Sequence, residues 1–222
     1  GNTKTYILTV DRLSPPPTGT IIINSGANFT NSTTVTLNIT YEDPDGDSVE
    51  MSFSNDNITW SPWEEATDTR LWTLPAGDGT KTVYMLLRDS SGSLSETYYN
   101  TIILDTTAPT GTLSINGGAM YTNSLEVTLD ITSNDGTGSG VTQMRFSNDG
   151  STWGELDWKQ VESISSWSLF GEEGTNIVYM QLRDMVGNVS SSISAEIVLD
   201  RVAPEVTGVN DGLAYNSNIT IE

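Results

Sequence analysis

"TGTIIINSGANFTNSTTVTLNIT" occupies residues 18–40, and "TGTLSINGGAMYTNSLEVTLDIT" occupies residues 110–132, aligned with it without a gap. In the second half of the first stretch and just past it, Val35, Leu37, Ile39 and Tyr41 alternate with threonines and an asparagine, and Val127, Leu129 and Ile131 keep the same spacing in the second. Successive side chains of a strand point to opposite faces, so this spacing describes a strand with one buried face.

The duplication runs on. "GTKTVYMLLRDSSGSLS" (79–95) returns as "GTNIVYMQLRDMVGNVS" (174–190), and "IILD" (102–105) returns as "IVLD" (197–200). The copies join at "LDTTAP" (104–109) and "LDRVAP" (199–204), with a looser "VDRLSPPP" at 10–17. Asp11, Asp105 and Asp200 stand 94 and 95 residues apart, a period that is one whole domain rather than one blade or one helical repeat. The expected organisation is the last strand of a preceding repeat over 1–14, complete repeats over 15–107 and 108–202, and the opening strands of a following repeat over 203–222. A chain that starts and stops inside the pattern reads as a segment.

Within a repeat, strands are expected near 19–24, 34–41, 49–54, 69–74, 81–88 and 97–104, with a short one between 60 and 66. Gly, Asn, Asp and Pro clusters separate them. About seven short strands in roughly 95 residues, with no helical pattern, give an all-β fold of tandem immunoglobulin-like antiparallel β-sandwiches. The motifs "MRFSNDGSTW", W-x-L followed by G-T-x-x-V-Y, "LRDMVGN" and "LDTTAPT" together resemble the Ig-like repeats found in tandem in large bacterial and archaeal surface proteins and in secreted glycoside hydrolases, relatives of cadherin-like and fibronectin-III-like sandwiches. The resemblance covers residues 15–202. It implies spacers, adhesive modules or shell and filament components at the cell surface.

Composition narrows the chemistry. The 222 residues carry 29 acidic against 9 basic side chains, a formal charge of −20, so nucleic acid and anionic membranes are repelled. Cations, glycans, neighbouring repeats and copies of the chain joined end to end remain as partners. The absence of cysteine and histidine removes thiol nucleophiles, imidazole bases and the usual zinc ligands. No apolar run is long enough to insert into a membrane. Short connections leave no loops of the kind that build an active site, so no enzyme is expected.

"FSNDNITW" (53–60) returns as "FSNDGSTW" (146–153), and the second copy resembles the Asp-box turn of sialidases. A sialidase propeller repeats that turn at blade spacing, whereas here the copies are one domain apart, and the stretch reads as a hairpin turn of the scaffold. "EDPDGDSVE" (42–50) is the stretch richest in oxygen ligands. Asp43, Asp45 and Asp47 alternate around a Pro and a Gly, so calcium held by these three and a turn without an ion are both open. Asp89, Asp184, Asp105 and Asp200 precede turns near domain ends, either as turn caps or as parts of an ion-stiffened junction.

Six tryptophans fall in matched pairs, and Trp72 and Trp167 are in phase with Leu74 and Leu169, which assigns them to the core. Trp63 and Trp158, beside Pro and acidic residues, are either rim packing or a glycan-stacking platform. N-x-S/T sequons place candidate glycosylation sites at Asn28, Asn31, Asn38, Asn57, Asn188 and Asn218. The function expected is a structural spacer segment of an extracellular protein. Its alternatives are an adhesive or glycan-binding module and an accessory domain of a secreted polysaccharide hydrolase.

Overall fold

The computed structural model of the chain describes residues 14–153 and 158–205. The alternation read at 35–39 becomes strand β3 (Thr34–Glu42), in which Val35, Leu37 and Ile39 are buried while the residues between them are not. Strand β3 is flanked by antiparallel β1 (Thr18–Ile23) and β6 (Thr69–Thr73) in a three-stranded sheet. Facing it is a five-stranded sheet in the order β2 (Phe29–Thr30), β8 (Tyr98–Leu104), β7 (Gly79–Asp89), β4 (Val49–Ser54), β5 (Glu64–Glu65). Ile21, Ile23, Leu37 and Ile39 from the first sheet pack with Met51, Phe53, Met85 and Leu87 from the second in one continuous core. Each fully buried aliphatic or aromatic side chain of this kind contributes about 1.5–3 kcal/mol, which is what holds two otherwise half-wet sheets face to face.

The second half repeats the design. Strands β9 (Thr110–Ile115), β11 (Glu126–Asn134) and β14 (Ile164–Ser168) form its three-stranded sheet. The order β10 (Tyr121–Thr122), β16 (Ile193–Leu199), β15 (Gly174–Asp184), β12 (Val141–Ser147), β13 (Lys159–Gln160) forms the other. Its core centres on Leu129, Ile131, Met144, Phe146, Met180 and Leu182. The chain is therefore a pair of tandem Ig-like β-sandwiches.

Two features depart from the sequence reading. Each five-stranded sheet is mixed rather than antiparallel, because β2 runs parallel to β8 and β10 runs parallel to β16. The cause is a left-handed turn after the first strand (Asn24 φ 45°, Ser25 φ 56°, Gly26 φ 88°), which carries the chain from one sheet to the other without reversing it. Trp72 and Trp167 are only half-buried, since they sit on the edge strands β6 and β14. They close the rim of each core against Phe53 and Phe146, with ring centroids 5.6 and 5.5 Å apart.

The T-G-T that opens both repeats also has a packing reason. A Cβ on Gly19 would stand 2.5 Å from the Thr40 carbonyl oxygen and 2.8 Å from Leu87 Cδ1; on Gly111 it would stand 2.3 Å from the Thr132 carbonyl oxygen and 2.7 Å from Leu182 Cδ1. The first strand crosses the opposite sheet there with no room for a side chain. The lone strand expected over 3–11, most of the opening strands expected over 203–222, and Asn218 lie outside the described residues.

Candidate metal centre

The repeated octapeptide is a turn closed from within. Asp56 Oδ1 accepts the Ser54 hydroxyl (2.9 Å) and the N–H groups of Ile58 (2.8 Å) and Thr59 (2.7 Å), while Asn57 takes φ +60°. Asp149 does the same with Ser147, Ser151 and Thr152, and Gly150 takes φ +68°. The N–H groups of Thr59 and Ile58 hold the Asp56 carboxyl at about 2, and Asp149 is pulled down further, first by the Thr152 hydroxyl and then by its N–H. The preceding asparagines buttress the core rim: Asn55 Oδ1 accepts Trp72 Nε1–H at 2.8 Å, and Asn148 Oδ1 accepts Trp167 Nε1–H at 2.8 Å. The Asp and first Asn of each copy are thus spent on the fold.

Trp63 and Trp158 are half-buried, and guanidinium groups lie over their rings. Arg88 stands 4.5 Å from the Trp63 centroid, and Arg145 and Arg183 stand 4.5 and 4.4 Å from that of Trp158. Of the sequons, Asn28, Asn31 and Asn57 are exposed. Asn38 Oδ1 accepts the Ser25 N–H at 3.0 Å. Asn31 and Asn188 spend their amide nitrogens on bonds across the junction between the sandwiches.

That junction is short and pinned. Five residues separate Leu104, the end of β8, from Thr110, the start of β9. Asp78 Oδ1 accepts the N–H (2.9 Å) and hydroxyl (2.7 Å) of Thr106 on the side of the first sandwich. Those bonds, with the Thr107 hydroxyl first in strength, hold the Asp78 carboxyl below its ordinary value. Asn31 Nδ2 reaches across to the Val186 carbonyl at 2.9 Å, and Asn188 Nδ2 reaches back to the Asp105 carbonyl at 2.9 Å.

Within this junction an acidic centre forms. Oxygens of Asp105, Asp135 and Asp184 all lie within 4.8 Å of one another. Asp105 follows β8 and is tied to the first sandwich by its N–H to the Thr30 carbonyl, at 2.9 Å. Asp135 opens the loop between β11 and β12, and Asp184 ends β15. Asp105 and Asp184 are 1% and 2% exposed, among the most secluded charges of the described residues. Asp105 Oδ2 accepts the Ser139 N–H at 2.6 Å, and Asp184 Oδ1 accepts the N–H groups of Gly187 (2.7 Å) and Asn188 (2.8 Å).

Two observations show that these bonds leave the centre incomplete. Asp135 Oδ1 and Ser139 Oγ are sealed from solvent without a hydrogen-bond partner, a state that costs about 1–3 kcal/mol for each such group. None of the ion pairs formed among the described residues involves any of the three aspartates. Burial, and then the charges of Asp105 and Asp184, push the Asp135 carboxyl above its ordinary value. Gly138 lies close against the cluster, because a Cβ there would stand 2.6 Å from Asp135 Oδ2 and 2.8 Å from Asp105 Oδ2. A hard, oxygen-seeking divalent cation such as calcium fits this donor set, and zinc, which favours Cys and His, does not.

The sequence had directed attention to Asp43, Asp45 and Asp47. In the structure Asp43 Oδ1 accepts the N–H groups of Asp45 and Asp47, both at 3.0 Å, so the loop is capped locally. The set of three acidic groups that converges among the described residues is the junction set instead. In the sequence Asp105 and Asp184 stand out as turn residues near domain ends, whereas Asp135, Gly138 and Ser139 carry no such signal. The signal available was the recurrence of aspartates at equivalent positions of both repeats.

No family model matches the chain, and no curated protein matches it. Among solved structures it is similar to the fibronectin(III)-like modules of CbhA from Clostridium thermocellum, with 16% identity, a TM-score of 0.43, and coverage of 85% of this chain and 99% of that one. The three N-terminal domains of the highly immunogenic outer capsid protein of bacteriophage RB49 align with 13% identity and a TM-score of 0.42, over 82% of this chain and 58% of that one. A tetra-tandem repeat from the extending region of a large adhesion protein aligns with 17% identity and a TM-score of 0.30, over 82% of this chain and 49% of that one. The likeness is one of β-sandwich fold, of the Ig-like and fibronectin type III kind.

Proposed function

We propose that the chain is a non-catalytic spacer segment of an elongated extracellular protein, part of a shell or filament, whose sandwiches are locked end to end by a divalent cation of the calcium type. The observation that carries this reading is the convergence of one carboxylate from the first sandwich, Asp105, with two from the second, Asp135 and Asp184. Bound there, the ion supplies two positive charges to a cluster of three negative ones and ties the linker to the far sandwich. The hydrogen bonds of Asn31 and Asn188 across the same junction give a seam that is already partly closed.

Extracellular placement is supported by the tandem Ig-like motifs and by an acidic surface suited to crowded arrays. The partners implied are neighbouring repeats or further copies of the chain. Glycan stacking on Trp63 and Trp158 would have to compete with the guanidinium groups that lie on those rings.

Small-angle scattering and thermal unfolding of the whole chain, with calcium and with chelator, test the proposal. Calcium is expected to narrow the distribution of particle dimensions and raise the unfolding temperature, and Asp135→Asn is expected to abolish both effects. Identical scattering and unfolding in the two conditions would overturn it.

A further inference from the structure

We propose that Asn57 is an acceptor for an N-linked glycan, carried on the turn between β4 and β5 of the first sandwich. The inference is independent of the cation-locked reading, since the junction bonds of Asn31 and Asn188 involve none of residues 55–59.

The turn does not need an asparagine at this position. Its second copy closes with Gly150 at φ +68°, the residue type for which such a φ costs least, and Asn57 takes the same conformation at φ +60°. The Asn57 N–H donates to the Ser54 hydroxyl at 2.9 Å, as the Gly150 N–H donates to that of Ser147 at 3.0 Å, so the backbone alone meets the requirement. Asn24 and Asn116, the other left-handed asparagines among the described residues, each put the side chain to use: Oδ1 accepts the N–H of Thr36 (2.9 Å) and of Thr128 (2.8 Å). Among the described residues no hydrogen bond engages the Asn57 side chain.

An acceptor tripeptide must offer its amide nitrogen and the hydroxyl two residues on to an enzyme from outside. At 57–59 all three residues are exposed, and Ile58, at 82%, is the most exposed large apolar side chain among the described residues. The Thr59 hydroxyl is the weakest of the donors that act on Asp56, whereas the corresponding Thr152 hydroxyl is the strongest of those that act on Asp149, bonding its Oδ2 at 2.6 Å.

The other described sequons each lack one of these features. Thr30, two residues after Asn28, is buried in β2. Asn31 Nδ2 is spent on the Val186 carbonyl. Asn38 lies in the middle of β3, ahead of buried Ile39. Asn188 Nδ2 is spent on the Asp105 carbonyl, and Ser190, which would be read with it, is buried.

The transfer joins Asn57 Nδ2 to C1 of the first sugar of a lipid-diphosphate-linked oligosaccharide. The bond from C1 to the diphosphate oxygen breaks, its electron pair leaves with the lipid diphosphate, and the amide nitrogen gives one of its two protons to a base of the transferring enzyme. The product stands at the tip of a turn that Asp56 already pins, clear of the core.

The whole chain, produced for export in a host that carries out such transfer, is mapped by mass spectrometry of its glycopeptides. Asn57 is expected to be occupied in most molecules, and the modification there is expected to be lost in Asn57→Gln and in Asn57→Gly. The glycine variant carries the residue that the second copy of the turn uses. Its unfolding temperature should match that of the parent chain made in a host lacking the transfer, which separates loss of the acceptor from loss of structure. A parent chain bare at Asn57 would overturn the inference, whether or not glycan appears at Asn31, Asn38 or Asn188. Either result leaves the cation-locked junction to be read separately, by scattering with calcium and with chelator.

Discussion

Asp135→Asn is expected to change the sign of its effect with calcium. Two unit charges 4.8 Å apart, the outer limit of the cluster, repel by about 3.5 kcal/mol at the effective dielectric constant of about 20 that suits such sites. Neutralising Asp135 removes two such pairs. Asp135 Oδ1 is sealed, but the residue as a whole is half-buried, so water screens part of the repulsion and the net gain is about 1–3 kcal/mol. For a domain of this size each kcal/mol moves the midpoint by about 4–8 °C, so in chelator the variant should melt about 5–20 °C above the parent. Asparagine keeps the carbonyl oxygen that accepts the Gly140 N–H, a bond of 2.6 Å in the parent, and the loop is preserved.

In calcium the order reverses. An ion present at one hundred times its dissociation constant adds about 2.7 kcal/mol to the parent and nothing to a variant that no longer binds it. Differential scanning calorimetry in chelator and in calcium reads both arms. Acidity gives a third: the folded value of Asp135 lies above its ordinary 3.8, so the folded state holds its proton more tightly than the unfolded chain. Its contribution to stability in chelator therefore falls as pH rises from 3.8 through the folded value, and that slope should vanish in the variant. A variant less stable than the parent in chelator would refute the repulsion argument.

Gly111→Ala should lower the midpoint of the second sandwich by the equivalent of about 1–3 kcal/mol or more, because overpacking against a backbone carbonyl has little room to relax; thermal unfolding reads it, and an unchanged midpoint would show that the first strand can shift. Asp56→Asn should separate from the parent above the ordinary 3.8 and merge with it as pH falls through about 2, since a depressed carboxyl stabilises only while it is charged; denaturant unfolding across that range tests the sign. Asn188→Ala removes the bonds to the Asp105 carbonyl (2.9 Å) and to Asp184 Oδ2 (2.7 Å). Residual dipolar couplings should then report looser coupling of the two sandwiches, with the cores of both unchanged.

The strands were legible because burial on one face imposes a period of two, and the structure places β3, β4 and β7 within two residues of the positions that period marks. The parallel pairing of β2 with β8 was not, since it depends on a left-handed turn at Asn24 and Ser25, residues that also suit other turns. Gly19 and Gly111 lie at the start of the expected first strands with no sequence signal for their role; only the crossing of Leu87 and Leu182 beneath them gives their reason. The acidic centre was half legible. Asp105 and Asp184 were conspicuous as boundary and turn residues, but they and Asp135 are spread over 80 positions and meet only through the fold. Asp43, Asp45 and Asp47 drew attention because they are adjacent, and adjacency favours a turn that closes on itself.

Asp200 shows how the design would propagate. Its N–H donates to the Thr122 carbonyl at 2.9 Å, as that of Asp105 donates to the Thr30 carbonyl at 2.9 Å. Its Oδ1 accepts the Val202 N–H at 3.1 Å, as Asp105 Oδ1 accepts the Thr107 N–H at 3.3 Å. The local structure is thus the same, yet Asp105 is buried and Asp200 is exposed. What differs is the cover: the loop of Gly138 and Ser139 seals Asp105 and brings Asp135 to it. A carboxylate is therefore pre-set at the end of each described sandwich by that sandwich alone, and at the junction the second sandwich adds Asp135 from its loop and Asp184 from the end of its long strand. On the proposed cation-locked reading, binding and docking would be one event, and an ion that prefers the joined carboxylates would stabilise the junction by its difference in affinity for the joined and separated states.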